Sequence, residues 1–263
     1  MEKLIITATT ANSWIYPEVK NWPQTSEALI EDAVQCSKAG AAIVHVHLPR
    51  GMEVEIVSKI RERCDAIIQA GMSSDPIEKR KGDFEARPDM ISIILNHHDE
   101  HFTQMNVHRI HPLDELEKYC EKCEEYKIKP EWEVWHTGSY WNLKYLIEKN
   151  LIKPPHVLTC FFNWPGGTWS PPTADEYLHR LKYMPEGCVH TVSIMGEKQS
   201  MIAALAISSG GNVRVGTEDW PFIRNGIPAK NNAELIKHTL EIAEKLDRDV
   251  AMASEARKLL KIV

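Results

Sequence analysis

Apolar runs bounded by polar turns recur eight times along the chain: Lys3–Thr9, Ala41–Leu48, Ala66–Gly71, Met90–Asn96, Glu131–His136, Val157–Asn163, Val189–Met195 and Asn212–Thr217. Each is rich in Val, Ile or aromatic residues. Several are near-continuous apolar, the pattern of strands buried on both faces. The stretches between them carry helix signals. Thr25, followed by Glu27, opens an amphipathic run to Ala39, and Gly40 stands where a helix C-cap belongs. Asn232–Leu246 reads the same way. Strands alternating with helices predict either a closed barrel or a doubly wound sheet.

Two features favour the barrel. No glycine-rich nucleotide loop of the GxGxxG or GxxxxGK[ST] type follows any strand. Polar residues also recur at the C-terminal ends of the strands: His45 and His47, Ser73 and Ser74, Asn96 and His97, His136, Asn163, Glu218 and Asp219. A barrel gathers all those ends on one face, where barrel active sites sit. The expectation is an α/β fold, a single (β/α)8 TIM-barrel domain over residues 1–263, with no long linker and no repeat beyond the βα unit.

Composition adds limits rather than detail. At 263 residues with 43% hydrophobic side chains, the chain is long enough to bury a sizeable core. A formal charge of −6 gives no electrostatic reason to expect nucleic acid or an anionic membrane as partner. No run approaches the ~18 apolar residues of a membrane span, and Leu4–Ile6 is too short for a signal-peptide core, so a cytoplasmic protein is expected. The six cysteines are expected to be reduced thiols. Cys120 and Cys123 form a CxxC pair, but within a predicted helix over Asp114–Lys127 and without the second pair a zinc ribbon needs.

The sharpest chemical signal is His45-Val46-His47. Residues two apart on a strand share a face, so both imidazoles are expected to enter the barrel mouth together. Neutral imidazoles are good zinc ligands, whereas unpaired ones at the end of a buried strand are costly. The last strand supplies a third ligand. In Val213–Asp219, Arg214, Gly216 and Glu218 share one parity. With the valine side against the helices, Arg214 and Glu218 point inward, and Gly216 leaves room for a ligand. An Arg–Glu pair closing the barrel is the structural alternative. Two histidines and one glutamate leave a tetrahedral ion one open position, as a Lewis-acid catalyst requires. Asp219, adjacent to Glu218 and of opposite parity, is then expected to be free to act as a base.

With these residues in place the chain resembles the β-keto acid cleavage enzymes nearly end to end. The resemblance rests on GAAIVHVH (Gly40–His47), the YLIEKNLIKPP…PGG stretch (Tyr145–Gly167), NVRVGTED (Asn212–Asp219) and AKNNAELI (Ala229–Ile236). It implies a zinc-dependent (β/α)8 barrel that condenses a β-keto acid with acetyl-CoA, giving acetoacetate and a new CoA thioester. By position it implies His45, His47 and Glu218 as zinc ligands, Arg214 as the family's arginine and Asp219 as its general base. It also implies a serine assisting CoA transfer, here Ser73 or Ser74, which equally fit ordinary turn residues before Asp75-Pro76. Glu133 falls where the family contacts substrate and could bind an amino group; a structural ion pair is the alternative. Family members form homotetramers, and Trp164 and Trp169 could wall the pocket or lie at such a contact.

Some positions depart from the family pattern. Leu48-Pro49-Arg50 replaces an arginine–aspartate pair after the histidines. Ala70-Gly71-Met72-Ser73 replaces a threonine–glycine–glycine run. His97, followed by His98, takes the place of a small polar residue that meets substrate, and Ala11-Asn12-Ser13-Trp14 lacks an acidic residue. The metal centre is thus intact and the surrounding shell altered, which leaves the particular keto acid open. A metal-dependent hydrolase or aldolase with a second site from His136, His97 and His98 is the competing reading.

Overall fold

The computed structural model describes residues 1–11, 13, 15–95, 97–99, 108–164 and 168–262, with backbone alone over 97–99 and 108–110. All eight expected strands form: β1 (Ile6–Thr9), β2 (Ile43–Val46), β3 (Ile67–Ala70), β4 (Met90–Ile94), β5 (Lys129–Val134), β6 (His156–Phe162), β7 (Cys188–Ile194) and β8 (Asn212–Gly216). They are parallel and close into a barrel in which β1 pairs with both β2 and β8. Helices α1 (Ser26–Ala39), α2 (Glu53–Arg63), α3 (Lys81–Glu85), α4 (Leu113–Tyr126), α5 (Ser139–Glu148), α6 (Ala174–Tyr183), α7 (Gln199–Ser208) and α8 (Asn232–Lys245) follow the strands in turn, and α9 (Ala253–Leu260) ends the chain. This is the (β/α)8 barrel.

Local chemistry explains the boundaries. Thr25 accepts a hydrogen bond from the Ala28 amide at the start of α1, and Gly40 ends that helix at φ 115°, a left-handed conformation that favours glycine. The alternation within each strand then sorts the core. Outward residues such as Val44, Ile68, Ile91, Trp132, Leu158, Val192 and Val213 pack against the helices. Inward residues at the N-terminal ends, Ile5, Ile43, Ile67, Met90 and Val157, meet Ala251, Ala256 and Leu260 from the C-terminal segment. That segment is tied beneath the barrel by the Leu4–Val250 bridge, so α9 plugs the floor.

Two hairpins were not expected from the sequence pattern. His97–Asp99 pairs antiparallel with His108–Ile110 after β4, and Phe222–Arg224 pairs with Ile227–Pro228 after β8. Both decorate the C-terminal rim. All six cysteines are free, Cys120 and Cys123 being buried in α4. No helix among the described residues is long and apolar enough to cross a membrane.

Candidate metal centre

The mouth is built from residues two positions above the apolar floor. Thr9, His45 and Gln69 stand in register on β1, β2 and β3, and Thr7 pairs with Arg214. Because β2 ends at Val46 and β8 at Gly216, His47 and Glu218 extend just beyond the sheet, while His45 remains in it. Glu218 reaches back between the imidazoles. Its Oε2 lies 3.6 Å from His45 Nε2 and its Oε1 3.3 Å from His47 Nε2. Among the described residues these three form the cluster able to hold a metal, their ligand atoms all within 4.8 Å of one another.

The cluster fits a divalent ion on several counts. Ligand bonds of ~2.0–2.1 Å place tetrahedral ligands roughly 3.3–3.4 Å apart, close to the spacings found here. Gly71, at the end of β3, keeps the space beside the rings clear. A Cβ there would collide with the His47 ring and lie 2.8 Å from His45 Nε2. Gln69 Oε1 sits 2.7 Å from His45 Nδ1, which fixes the proton on Nδ1 and leaves Nε2 as the donor toward the cluster. Burial, reinforced by the Arg214 charge, lowers the His45 pKa to about 3, so the ring stays neutral as a ligand must. Burial opposes ionisation of Glu218, but the Arg214 charge, with His47 beside it, holds its carboxyl below the usual carboxylate range. Its Oε2 is 3.0 Å from Arg214 Nη2 but lacks a partner with hydrogen-bond geometry, leaving a buried anionic oxygen available.

Two expectations change. Asp219 is not free: its Oδ1 and Oδ2 accept from Arg214 Nη2 at 3.0 Å and Nε at 3.1 Å, and Oδ2 also accepts from Ser193 Oγ at 3.0 Å. Parity along a strand did not foresee this, because the chain turns after Gly216 and brings Asp219 back over Arg214. Arg214 in turn has Asp219 and Glu218 as partners and Phe161 under its guanidinium at 5.1 Å. Gly216 serves packing rather than a ligand, since a Cβ there would collide with the Thr9 carbonyl on β1. Asp219 is completely buried. Burial, with the Glu218 charge, raises its pKa to about 6 against the opposing pull of Arg214.

Glu133 is buried on β5 and its Oε2 accepts from Trp135 Nε1 at 3.1 Å. Trp135 stacks on Phe161 at 4.7 Å, and Trp164 meets both edge-on, so these aromatics fill one side of the mouth. Trp169 is half exposed and donates to Asn163 Oδ1. Asn163 also ties itself to the Met195 carbonyl, a loop role. Ser73 and Ser74 lie in the turn after β3, where the Ser73 carbonyl accepts from the Ile94 amide and faces His111 Nε2 at 3.0 Å. Asn96, the side chains of His97 and His98, and Pro165–Gly167 lie outside the described residues.

The sequence reading passed over four residues that shape the site. Gln69 orients His45, and Ser193 holds Asp219. Arg80, fully buried, donates to the Gly71 and Ser92 carbonyls and so fixes the glycine against the rings. Glu131 lies beneath Glu133, 3.4 Å from Gln69 Nε2. Burial, with the Glu133 charge, pushes its pKa to about 8. The signal for Gln69 and Glu131 was available. Both share inward parity with apolar floor residues of their own or neighbouring strands, where a polar residue needs a reason.

The family model for beta-keto acid cleavage enzyme matches residues 3–262. The chain is 32% identical to the 3-keto-5-aminohexanoate cleavage enzyme of Acetoanaerobium sticklandii, over the whole chain and 99% of that protein. It is 24% identical to the 3,5-dioxohexanoate:acetyl-CoA acetone transferase of Paraburkholderia graminis, over 99% of the chain and 96% of that protein. Among solved structures, a ternary complex of ObcA with a C4-CoA adduct and oxalate superposes with a TM-score of 0.74 at 16% identity, covering 92% of this chain and 67% of that one; this likeness is one of fold. A match running from the first strand to the last helix, at this level of identity, places the chain in the β-keto acid cleavage enzyme family.

Proposed function

We propose that the protein binds one divalent ion, zinc by the donor set, through His45, His47 and Glu218, and condenses a β-keto acid with acetyl-CoA to give acetoacetate and a new CoA thioester. The observation that carries this reading is the convergence of three donors, His45 and Glu218 buried and His47 partly exposed, around a space that Gly71 keeps open. When bound, the ion supplies Lewis acidity toward the keto oxygen and carboxylate, acidifying the α-carbon.

Asp219 is the group assigned to remove that proton. Three of the roughly four acceptor positions of its carboxylate are taken by Arg214 and Ser193, which leaves one for a proton and fixes its direction. Its raised pKa makes it a stronger base than an exposed aspartate while leaving it ionised at neutral pH. Arg214 holds Asp219 in place and adds positive charge at the mouth, which suits an anionic substrate. Glu133 is assigned to an amino group on the far end of the keto acid, with Trp135 orienting its carboxylate. Ser73 or Ser74 is assigned to the CoA transfer step and His97 to substrate contact. The family's homotetramer and a cytoplasmic setting belong to the same reading, and the exposed rings of Trp141 and Trp169 offer apolar surface for subunit contact.

The test is turnover. Zinc-loaded protein is incubated with acetyl-CoA and a panel of β-keto acids with amino, aromatic and aliphatic side chains, and acetoacetate is measured. At least one keto acid is expected to yield acetoacetate only when acetyl-CoA is present. Failure of all of them, with hydrolysis of a neutral ester or amide instead, transfers the metal centre to hydrolase chemistry.

A further inference from the structure

On the helix side of β8, behind the wall of the mouth, lies a run of buried polar groups that the proposed chemistry does not use. β8 ends at Gly216, opposite Thr9 at the end of β1, so the Thr217 amide has already left the sheet. Thr217 is nonetheless fully buried, and a buried amide needs an acceptor. Asn232, fully buried in the first turn of α8, supplies it: its Oδ1 accepts from the Thr217 amide at 2.8 Å. Asn232 Nδ2 donates to Asp32 Oδ2 on α1 at 2.7 Å and to Thr217 Oγ1 at 3.3 Å. Thr217 Oγ1 in turn donates to the Ala11 carbonyl at 2.7 Å. Helices α1 and α8 and the segment after β1 thus converge on the residue that directly precedes Glu218 and Asp219.

This chain of bonds is not needed to build the helices. Asn231 caps α8, its side chain accepting from the Glu234 amide at 3.1 Å, so Asn232 is left for another task. Two packed helices are also joined at lower cost by apolar side chains than by a carboxylate. Burial pushes the Asp32 pKa up to about 6, against the opposing hydrogen bond from Asn232. What an ionised Asp32 contributes is direction. It can only accept, so it draws the Asn232 Nδ2 toward itself and turns Oδ1 to the Thr217 amide. On the mouth side, the Asp219 and Trp220 amides close the turn onto the Gly216 carbonyl at 3.2 and 3.0 Å. Held from both sides, the turn has Glu218 beside both imidazoles and Asp219 against Arg214.

We propose that Asn232 and Asp32 are positioning residues for the metal centre, holding through Thr217 the turn that carries Glu218 and Asp219. The inference rests on the metal-dependent reading above. Its test is zinc affinity, measured on the full-length protein by competition with a chelator, beside stability in urea. Asn232→Leu keeps the volume and removes the acceptor, and should weaken zinc binding by about 10–100-fold. Ile67→Ala, on the apolar floor, should lose stability and keep the parent's affinity, so destabilisation alone does not move the readout. Asn232→Asp sets two carboxylates against each other and should also weaken zinc binding. Adding Asp32→Asn to it restores an amide–carboxylate pair in reverse order, with the Thr217 amide still facing an acceptor, and should recover most of the affinity. If Asn232→Leu does not fold, the Asn232→Asp variant and its reversal decide. Affinity unchanged in the folded Asn232 variants, or no recovery in the double variant, overturns the proposal while the metal centre stands. A parent that binds no zinc refutes the metal centre and the proposal with it.

Discussion

The two ends of the barrel are built on the same strands and differ in almost everything else. At the floor, Ile43 and Ile67 face Ala251, Ala256 and Leu260. Two residues further along the same strands stand His45 and Gln69, joined by a 2.7 Å hydrogen bond. The floor has one task, removing apolar area from water, and any well-packed aliphatic set of the right volume meets it. The mouth gathers Glu218, Asp219, Glu131, Glu133 and Arg214, all buried, where each charge depends on its neighbours. One end stabilises the barrel; the other spends that rigidity on holding donors at fixed spacing.

That contrast can be broken most sharply at Asp219. Asp219→Asn keeps a group of the same shape against Arg214 but removes the basic oxygen. Acetoacetate formation should fall by about 10²–10⁴-fold, with metal content unchanged. Rates near the parent's would reduce Asp219 to a support for Arg214. At the opposite end, Ile67→Ala should destabilise the fold by about 2–5 kcal/mol in urea denaturation and leave zinc stoichiometry intact. Loss of metal affinity without loss of stability would show that the floor and the mouth are not separable in this way.

Much of this was legible in the sequence, and the exceptions share a cause. Eight apolar runs alternating with helices left a barrel or a doubly wound sheet, and the polar residues at the strands' C-terminal ends, with no glycine-rich nucleotide loop, favoured the barrel. His45, His47 and Glu218 came together because side chains of one parity at strand ends converge in a closed barrel. What parity could not supply was the path of the chain once it leaves the strand. Asp219 bonds Arg214 after a turn, and Gly71 and Arg80 meet the site through a loop and a backbone carbonyl. The pairing of Trp135 with Glu133 needed a rotamer, which no pattern of residue types encodes. The hairpins at Phe222–Pro228 and His97–Ile110 were missed because their strands are too short to show alternation.

Smaller effects sharpen the comparison from within the mouth. Gln69→Ala leaves His45 Nδ1 without its acceptor and should weaken zinc binding by about 10–100-fold, read by competition with a chelator. Unchanged affinity would make Gln69 a packing residue. Glu131 tests the cost of charge at this depth. Its folded pKa, near 8, is raised above the ordinary 4.5, so the proton stabilises the folded state fully below 4.5 and this benefit is lost as pH rises through 8. Glu131→Gln removes that dependence. Relative to the parent it should gain stability between pH 5 and pH 9, on the order of 1 kcal/mol by urea denaturation. An identical pH profile in both proteins would place the Glu131 charge in contact with water.

The central claim is that the three donors at the mouth form a metal centre, and calorimetry tests it without reference to any substrate. The parent is stripped of metal with a chelator, then titrated with zinc beside a His45→Ala, His47→Ala double variant whose fold is checked by circular dichroism. The account predicts one zinc per chain in the parent and none in the variant at the same concentrations. Stoichiometric zinc on the folded variant, or none on the parent, would contradict it.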